Sequence, residues 1–175
     1  MATDQDKTME ALQIAIEMEK DGKDCYMKAS RGSGNKVGKK LLESLVAEED
    51  AHLHRFEEIY NAIRDKKGWP ITNIRPGSDK ALRDLFAKTC EMIGINVKAL
   101  ASEIGDVKTA MDKENKSQDF YRLQSKNATY EAERYFYEAL ADEEREHGLI
   151  LLDYYEYLTD PAGWFVNKEH TSLDG

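Results

Sequence analysis

The stretch Ala47-Glu48-Glu49-Asp50-Ala51-His52 returns 95 positions later as Asp142-Glu143-Glu144-Arg145-Glu146-His147. On a helix, residues three apart share a face, so Glu49 points with His52 and Glu144 with His147. The neighbours say where those faces point. Leu42, Leu45, Glu49, His52, Phe56, Ile59 and Ile63 recur at spacings of three and four, the apolar stripe of a buried helix face. Tyr137, Leu140, Glu144, His147, Leu151, Tyr154 and Leu158 repeat the pattern. A carboxylate buried alone costs several kcal/mol or more unless it is paired, protonated or bound to metal. A chain that buries an acid beside an imidazole twice is most simply read as binding metal.

The repeat extends beyond these pairs. Ala15, Glu19 and Tyr26 recur as Ala110, Glu114 and Tyr121, and Glu43, Leu45 and Tyr60 as Glu138, Leu140 and Tyr155, all at the same offset. Between breaks marked by Pro70, Pro76 and Pro161 the chain is rich in helix formers and poor in strand alternation, so the class is all-α. Helices are expected over 7–30, 36–66, 96–126 and 129–158. Short turns at 31–35 and near Asn127 make two antiparallel hairpins. A linker over 68–78 and a short helix over 79–92, ended by Gly94, form the crossover between them. The expected fold is a four-helix bundle with approximate two-fold symmetry. One hairpin buries only half a core, so residues 1–166 read as one domain, with halves at about 8–66 and 96–158. Trp164 and Phe165 are expected to pack back on the bundle ahead of a polar tail over 167–175.

A net charge of −9 argues against nucleic acid or an anionic membrane as the main partner. No apolar run approaches the roughly 18 to 20 residues that span a bilayer, and the first residues are polar rather than signal-like. Cys25 and Cys90 lack C-x-x-C spacing and read as free thiols of a reducing cytoplasm. The same spacing excludes a rubredoxin-type or ferredoxin-type iron centre within these residues.

Each half thus offers one lone stripe acid, Glu19 or Glu114, and one Glu-x-x-His. Four carboxylates balance two divalent cations, and mixed carboxylate and imidazole donors suit iron or manganese better than magnesium or thiolate-type zinc. Ferritin-like dinuclear bundles use this donor set. Tyr26 and Tyr121 lie two turns beyond the lone acids on the same face, placed either to hydrogen-bond a ligand or simply to pack. The acids beside the ligands, Glu48, Asp50, Glu143 and Glu146, are expected on a solvated face, as are His54 and His170. Cys25 and Cys90 read as packing residues. Gly22 and Gly148 permit either close helix approach or room at the site.

The segments from Glu19 to Tyr26 and from Glu114 to Tyr121 resemble the Glu-x6-Tyr segments of the rubrerythrin family, and Glu49-x-x-His52 and Glu144-x-x-His147 resemble its other ligand helices. Asp160-Pro161-x-x-Trp164-Phe165 is similar to its tail; the resemblance spans roughly residues 8–166. It implies a ferritin-like di-iron bundle in which Glu19 and Glu114 are terminal ligands, Glu49 and Glu144 bridge two irons, and His52 and His147 each hold one. It further implies reduction of hydrogen peroxide or O2 with electrons from a separate donor protein such as a rubredoxin, and a homodimer. The chain departs from the family in two ways. No four-cysteine rubredoxin segment is present, and Ser117 stands where the family carries an extra glutamate. The rival expectations are iron oxidation and storage of ferritin type, manganese-dependent peroxide disproportionation, and a metal-free bundle whose acids and histidines satisfy each other.

Overall fold

A computed structural model describes residues 4–70 and 79–173. Among them are six α-helices: α1 (Asp4–Gly32), α2 (Lys36–Arg64), α3 (Asp79–Ile93), α4 (Ala101–Asn127), α5 (Glu131–Thr159) and α6 (Pro161–Leu173). A single 3-10 turn, Gly94–Asn96, follows α3. The class is all-α, as the sequence implies. α1 packs along α2 and α4 along α5, while α1 also lies against α4. α3 sits on α2 and α5, and α6 folds back on α5. From residue 71 on, the expected linker lies outside the described residues.

The helix ends follow from local chemistry. Asn35 caps α2, its side-chain oxygen accepting from the Gly38 amide at 2.8 Å. At the start of α5 the Glu133 carboxylate accepts from the Thr129 and Tyr130 amides at 3.0 and 3.3 Å. Pro161 opens α6 where its missing amide costs nothing, and Asp160 accepts from the Gly163 amide at 3.0 Å. Gly94 ends α3 at φ +66, a left-handed conformation that favours glycine. One expectation is corrected here: α4 starts at Ala101 rather than 96, with exposed Leu100 as its N-cap. Trp164 packs back on the bundle as expected, against Phe86 and Tyr157, and α6 carries the chain on through residue 167.

The interior has two apolar clusters. One gathers Tyr26, Leu41, Leu45, Val107, Leu151 and Tyr154 with Phe86 of α3 and Trp164 of α6. The other gathers Leu12, Phe56, Ile59, Tyr121, Phe136 and Tyr137, with Trp69 packed on it. Along every long helix the chain passes from one cluster to the other through a polar step. Ala15 gives way to Glu19 and then Tyr26; Leu45 to Glu49 and His52 and then Phe56. On the second hairpin Ala110 precedes Glu114 and Tyr121, and Leu140 precedes Glu144, His147 and Ile150. The polar layer is therefore sealed above and below by packed side chains.

Candidate metal centre

The six expected ligands meet in that layer. Glu19 comes from α1, Glu49 and His52 from α2, Glu114 from α4, and Glu144 and His147 from α5. None is more than 3 % exposed. They fall into two groups, Glu19–Glu49–His52–Glu144 and Glu49–Glu114–Glu144–His147, and the donor atoms within each group lie within 4.8 Å of one another. Glu49 and Glu144 belong to both. Helical periodicity and packing together produce this: a stripe acid and an imidazole three residues on project together, and packing two hairpins face to face completes each group with one acid from the other half.

Both histidines turn Nδ1 inward. His52 Nδ1 is 3.1 Å from Glu19, 3.4 Å from Glu144 and 3.8 Å from Glu49. His147 Nδ1 is 3.6 Å from Glu144 and 3.7 Å from both Glu49 and Glu114. The two rings stack with centroids 5.9 Å apart and planes 19° from parallel.

Protons are distributed unevenly over the cluster. Burial, reinforced by the neighbouring Glu49 carboxylate, raises Glu19 well above the usual range. Burial and the Glu144 carboxylate do the same to Glu114. Burial and the Glu144 carboxylate also disfavour charge on Glu49, yet the adjoining Glu19, His147 and His52 prevail and hold it at about 2. Glu144 is likewise lowered against its burial by the adjoining Glu114, His147 and His52. Burial opposes charge on His52 and His147, but the surrounding carboxylates outweigh it and raise both well above the ordinary imidazole value. Burial and the neighbouring charges thus favour the protonated form of the terminal acids and the imidazoles, and the charged form of the two shared carboxylates.

The donor set fits divalent cations. Glu49 Oε1, Glu114 Oε2, Glu144 Oε1 and both ring nitrogens of His147 are buried without a hydrogen-bond partner, an expensive arrangement in a protein interior. All but His147 Nε2, which points away toward Glu48, belong to the cluster side of the two groups, and either group could hold a metal ion. Oxygen and imidazole donors without thiolate suit iron or manganese.

Tyr26 and Tyr121 do bond to ligand carboxylates, but crosswise. The Tyr26 hydroxyl on α1 donates to Glu114 on α4, and the Tyr121 hydroxyl on α4 donates to Glu19 on α1. Sequence reasoning missed a further partner. Glu143, expected on a solvated face, is buried, with its Oε2 2.6 Å from His52 Nε2 and 3.9 Å from Arg55. The correction has a simple cause: residue 143 sits one step from the stripe, and the facing α2 covers that flank. Its counterpart Glu48 is only partly buried and lies 3.8 Å from His147 Nε2. The signal was the Glu-Glu-x-x-His spelling of both copies, which sets a second acid beside each Glu-x-x-His pair. Exposed His54 contacts the Asp50 carbonyl at 2.7 Å and stays apart from the cluster. Asp50, partly buried, pairs with Lys23, and Glu146 pairs with Arg83. The side chain of His170 lies outside the described residues. Ser117 is half-buried, on a shallow depression with Met18, Asp21 and Lys113. Cys90 is fully buried and Cys25 half-buried, both as packing residues.

No family model matches the chain, and neither a curated protein nor a solved structure matches it significantly. Among the described residues no helix is long and apolar enough to cross a membrane. The class defined by fold and site is an all-α bundle with a buried carboxylate and imidazole cluster able to hold metal.

Proposed function

We propose that the chain is a rubrerythrin-like dinuclear iron protein that reduces hydrogen peroxide, or O2, with electrons from a separate donor, and so serves in oxidative-stress defence. One observation carries this assignment: two buried donor groups share Glu49 and Glu144, as two metal ions bridged by two carboxylates require. Glu19 and Glu114 would each complete one ion from the side, and His52 and His147 would each hold one through Nδ1. When bound, a ferrous pair supplies two electrons to one peroxide, which with two protons yields two waters. The chain's own part is to fix the carboxylates through Tyr26 and Tyr121 and to exclude bulk water with the apolar layers on either side.

Ser117 favours a second assignment, iron oxidation and binding of ferritin type. The family's peroxide chemistry is tied to an acid at this position, and serine offers no carboxylate. Elemental analysis of protein prepared without added metal, followed by stopped-flow absorption of the ferrous form, separates the cases. Roughly two irons per chain, oxidised faster by peroxide than by O2, is the expected result. Faster oxidation by O2 in a large hollow particle would move the assignment to storage. Two manganese ions would indicate disproportionation, and no metal after anaerobic iron loading would overturn the proposal.

A further inference from the structure

The two imidazoles are held differently on the side away from the cluster. His52 Nε2 meets buried Glu143 at 2.6 Å, and Arg55 stands behind that carboxylate at 3.9 Å. His147 Nε2 meets Glu48 only at 3.8 Å, and both of its ring nitrogens lack a hydrogen-bond partner. The position equivalent to Arg55 in the second half is Ile150, a buried apolar residue. Glu48 also lines a groove of about 430 Å³ between α2 and α3, walled by Ser44, Ala47, Ala51, Ala81, Leu82 and Leu85. α5 presents Glu143 and Glu146 at the positions equivalent to Glu48 and Ala51.

We propose that Glu143 makes the two metal subsites unequal: it locks His52 for a tight subsite, while the His147 subsite, approached along the groove that Glu48 lines, is the one that exchanges its ion. This rests on the dinuclear assignment above. The physical basis is orientation. A metal-binding imidazole whose other nitrogen donates to a carboxylate is fixed in tautomer and ring angle and is a stronger donor, and loss of such a partner typically costs about 10 to 100-fold in metal affinity. Glu143 is a positioning residue, since it touches His52 and belongs to neither donor group.

The test is a titration of the metal-free full chain with Co2+, followed by visible absorption, and then release of bound cobalt to a chelator. The native chain should bind in two resolved steps and release one ion quickly and one slowly. Glu143→Ala should weaken the first step by about 10 to 100-fold and merge the two. Glu143→Gln, which keeps an oxygen to accept from Nε2–H, should restore most of the separation and the original spectrum of the first step. Glu48→Ala should alter only the second step. Two equal steps in the native chain, or equal effects of Glu143→Ala and Glu48→Ala on the first step, would overturn the proposal. Absence of any cobalt binding by the native chain would instead overturn the dinuclear assignment itself. Far-UV circular dichroism of each variant reports whether the bundle still folds, and Glu143→Gln, the least disruptive change, keeps the test decisive if Glu143→Ala does not.

Discussion

His52 and His147 occupy equivalent positions in the two halves, yet one meets Glu143 at 2.6 Å with Arg55 behind it, and the other meets Glu48 only at 3.8 Å, beside a groove. The same contrast recurs at the bundle's end. Glu103 at the start of α4 is buried and accepts from Ser33, Asn35 and Tyr154 at 2.5, 2.9 and 2.6 Å, locking the α1–α2 turn. Its counterpart in the first half is Thr8, and Tyr154 has its counterpart in Ile59. The halves thus agree at the six donors on the shared axis and differ at positions off it, such as Arg55 against Ile150 and Thr8 against Glu103. Residues on the axis are constrained by one cluster common to both halves. Residues off it answer to neighbours that only one half has.

The largest expected effect breaks the equivalence at the donors. Glu49→Ala or Glu144→Ala removes a carboxylate common to both groups and should strip nearly all metal. Glu19→Ala or Glu114→Ala touches one group and should leave about one ion of two. Elemental analysis of the four purified variants checks this, and retention of two ions by both Glu49→Ala and Glu144→Ala would sink the bridging assignment.

Next in size is the pH dependence of the chelated protein. Glu19, Glu114, His52 and His147 all have raised pKa values, so the folded state holds protons that the unfolded chain has released. Their contribution is fully present below their unfolded values and is lost as pH rises. Thermal stability without metal should therefore fall above about pH 6.5, where the imidazoles join the acids. Glu49, held at about 2, works in the opposite sense, contributing above roughly pH 4.5 and losing its effect as pH drops toward its folded value. Metal loading displaces the protons and should flatten the alkaline limb. Melting curves at several pH values, with and without metal, compare the two; a metal-free curve that rises with alkalinity would contradict the proton distribution.

The crosswise tyrosines give a smaller effect. Tyr26→Phe leaves Glu114 without its buried donor, and Tyr121→Phe does the same to Glu19. Each should cost about 1 to 3 kcal/mol of unfolding free energy, measured with urea. Equal losses would show that the halves are alike at this level, while a larger loss for one would extend the asymmetry to the acids.

Smallest is Gly148→Ala. An added Cβ there would meet Glu114 Cβ at 3.7 Å, an ordinary contact, inside a helix where glycine is unfavourable by about 0.5 to 1 kcal/mol. A modest gain in stability with metal content unchanged is expected. Lost metal would mean that α5 must approach Glu114 more closely than side-chain contact suggests.

The polar layer was legible because helical spacing ties Glu49 to His52 and Glu144 to His147, and because a 95-residue offset placed Glu19 and Glu114 in matching stripes. The hairpins and the crossover helix followed from turn composition and the prolines. Glu143 was not legible in the same way, since one helix seen alone puts it beside the stripe; only the facing helix buries it. The tyrosines were legible as partners of a carboxylate, but which carboxylate depended on how α1 and α4 cross. The continuation of the tail as α6 was hidden as well, because its helix is fixed by Trp164 packing on Phe86 rather than by a long apolar stripe.

The sequence by itself determined the helical class, the pairing into hairpins and the six inward donors, because periodicity is a local property that each helix carries alone. Tertiary structure alone decided which half supplies each hydrogen bond, which imidazole is braced and which side of the cluster lies beside a groove. Those depend on contacts between helices distant in sequence, and a pseudo-symmetric repeat gives both halves the same letters while the surrounding helices give them different neighbours.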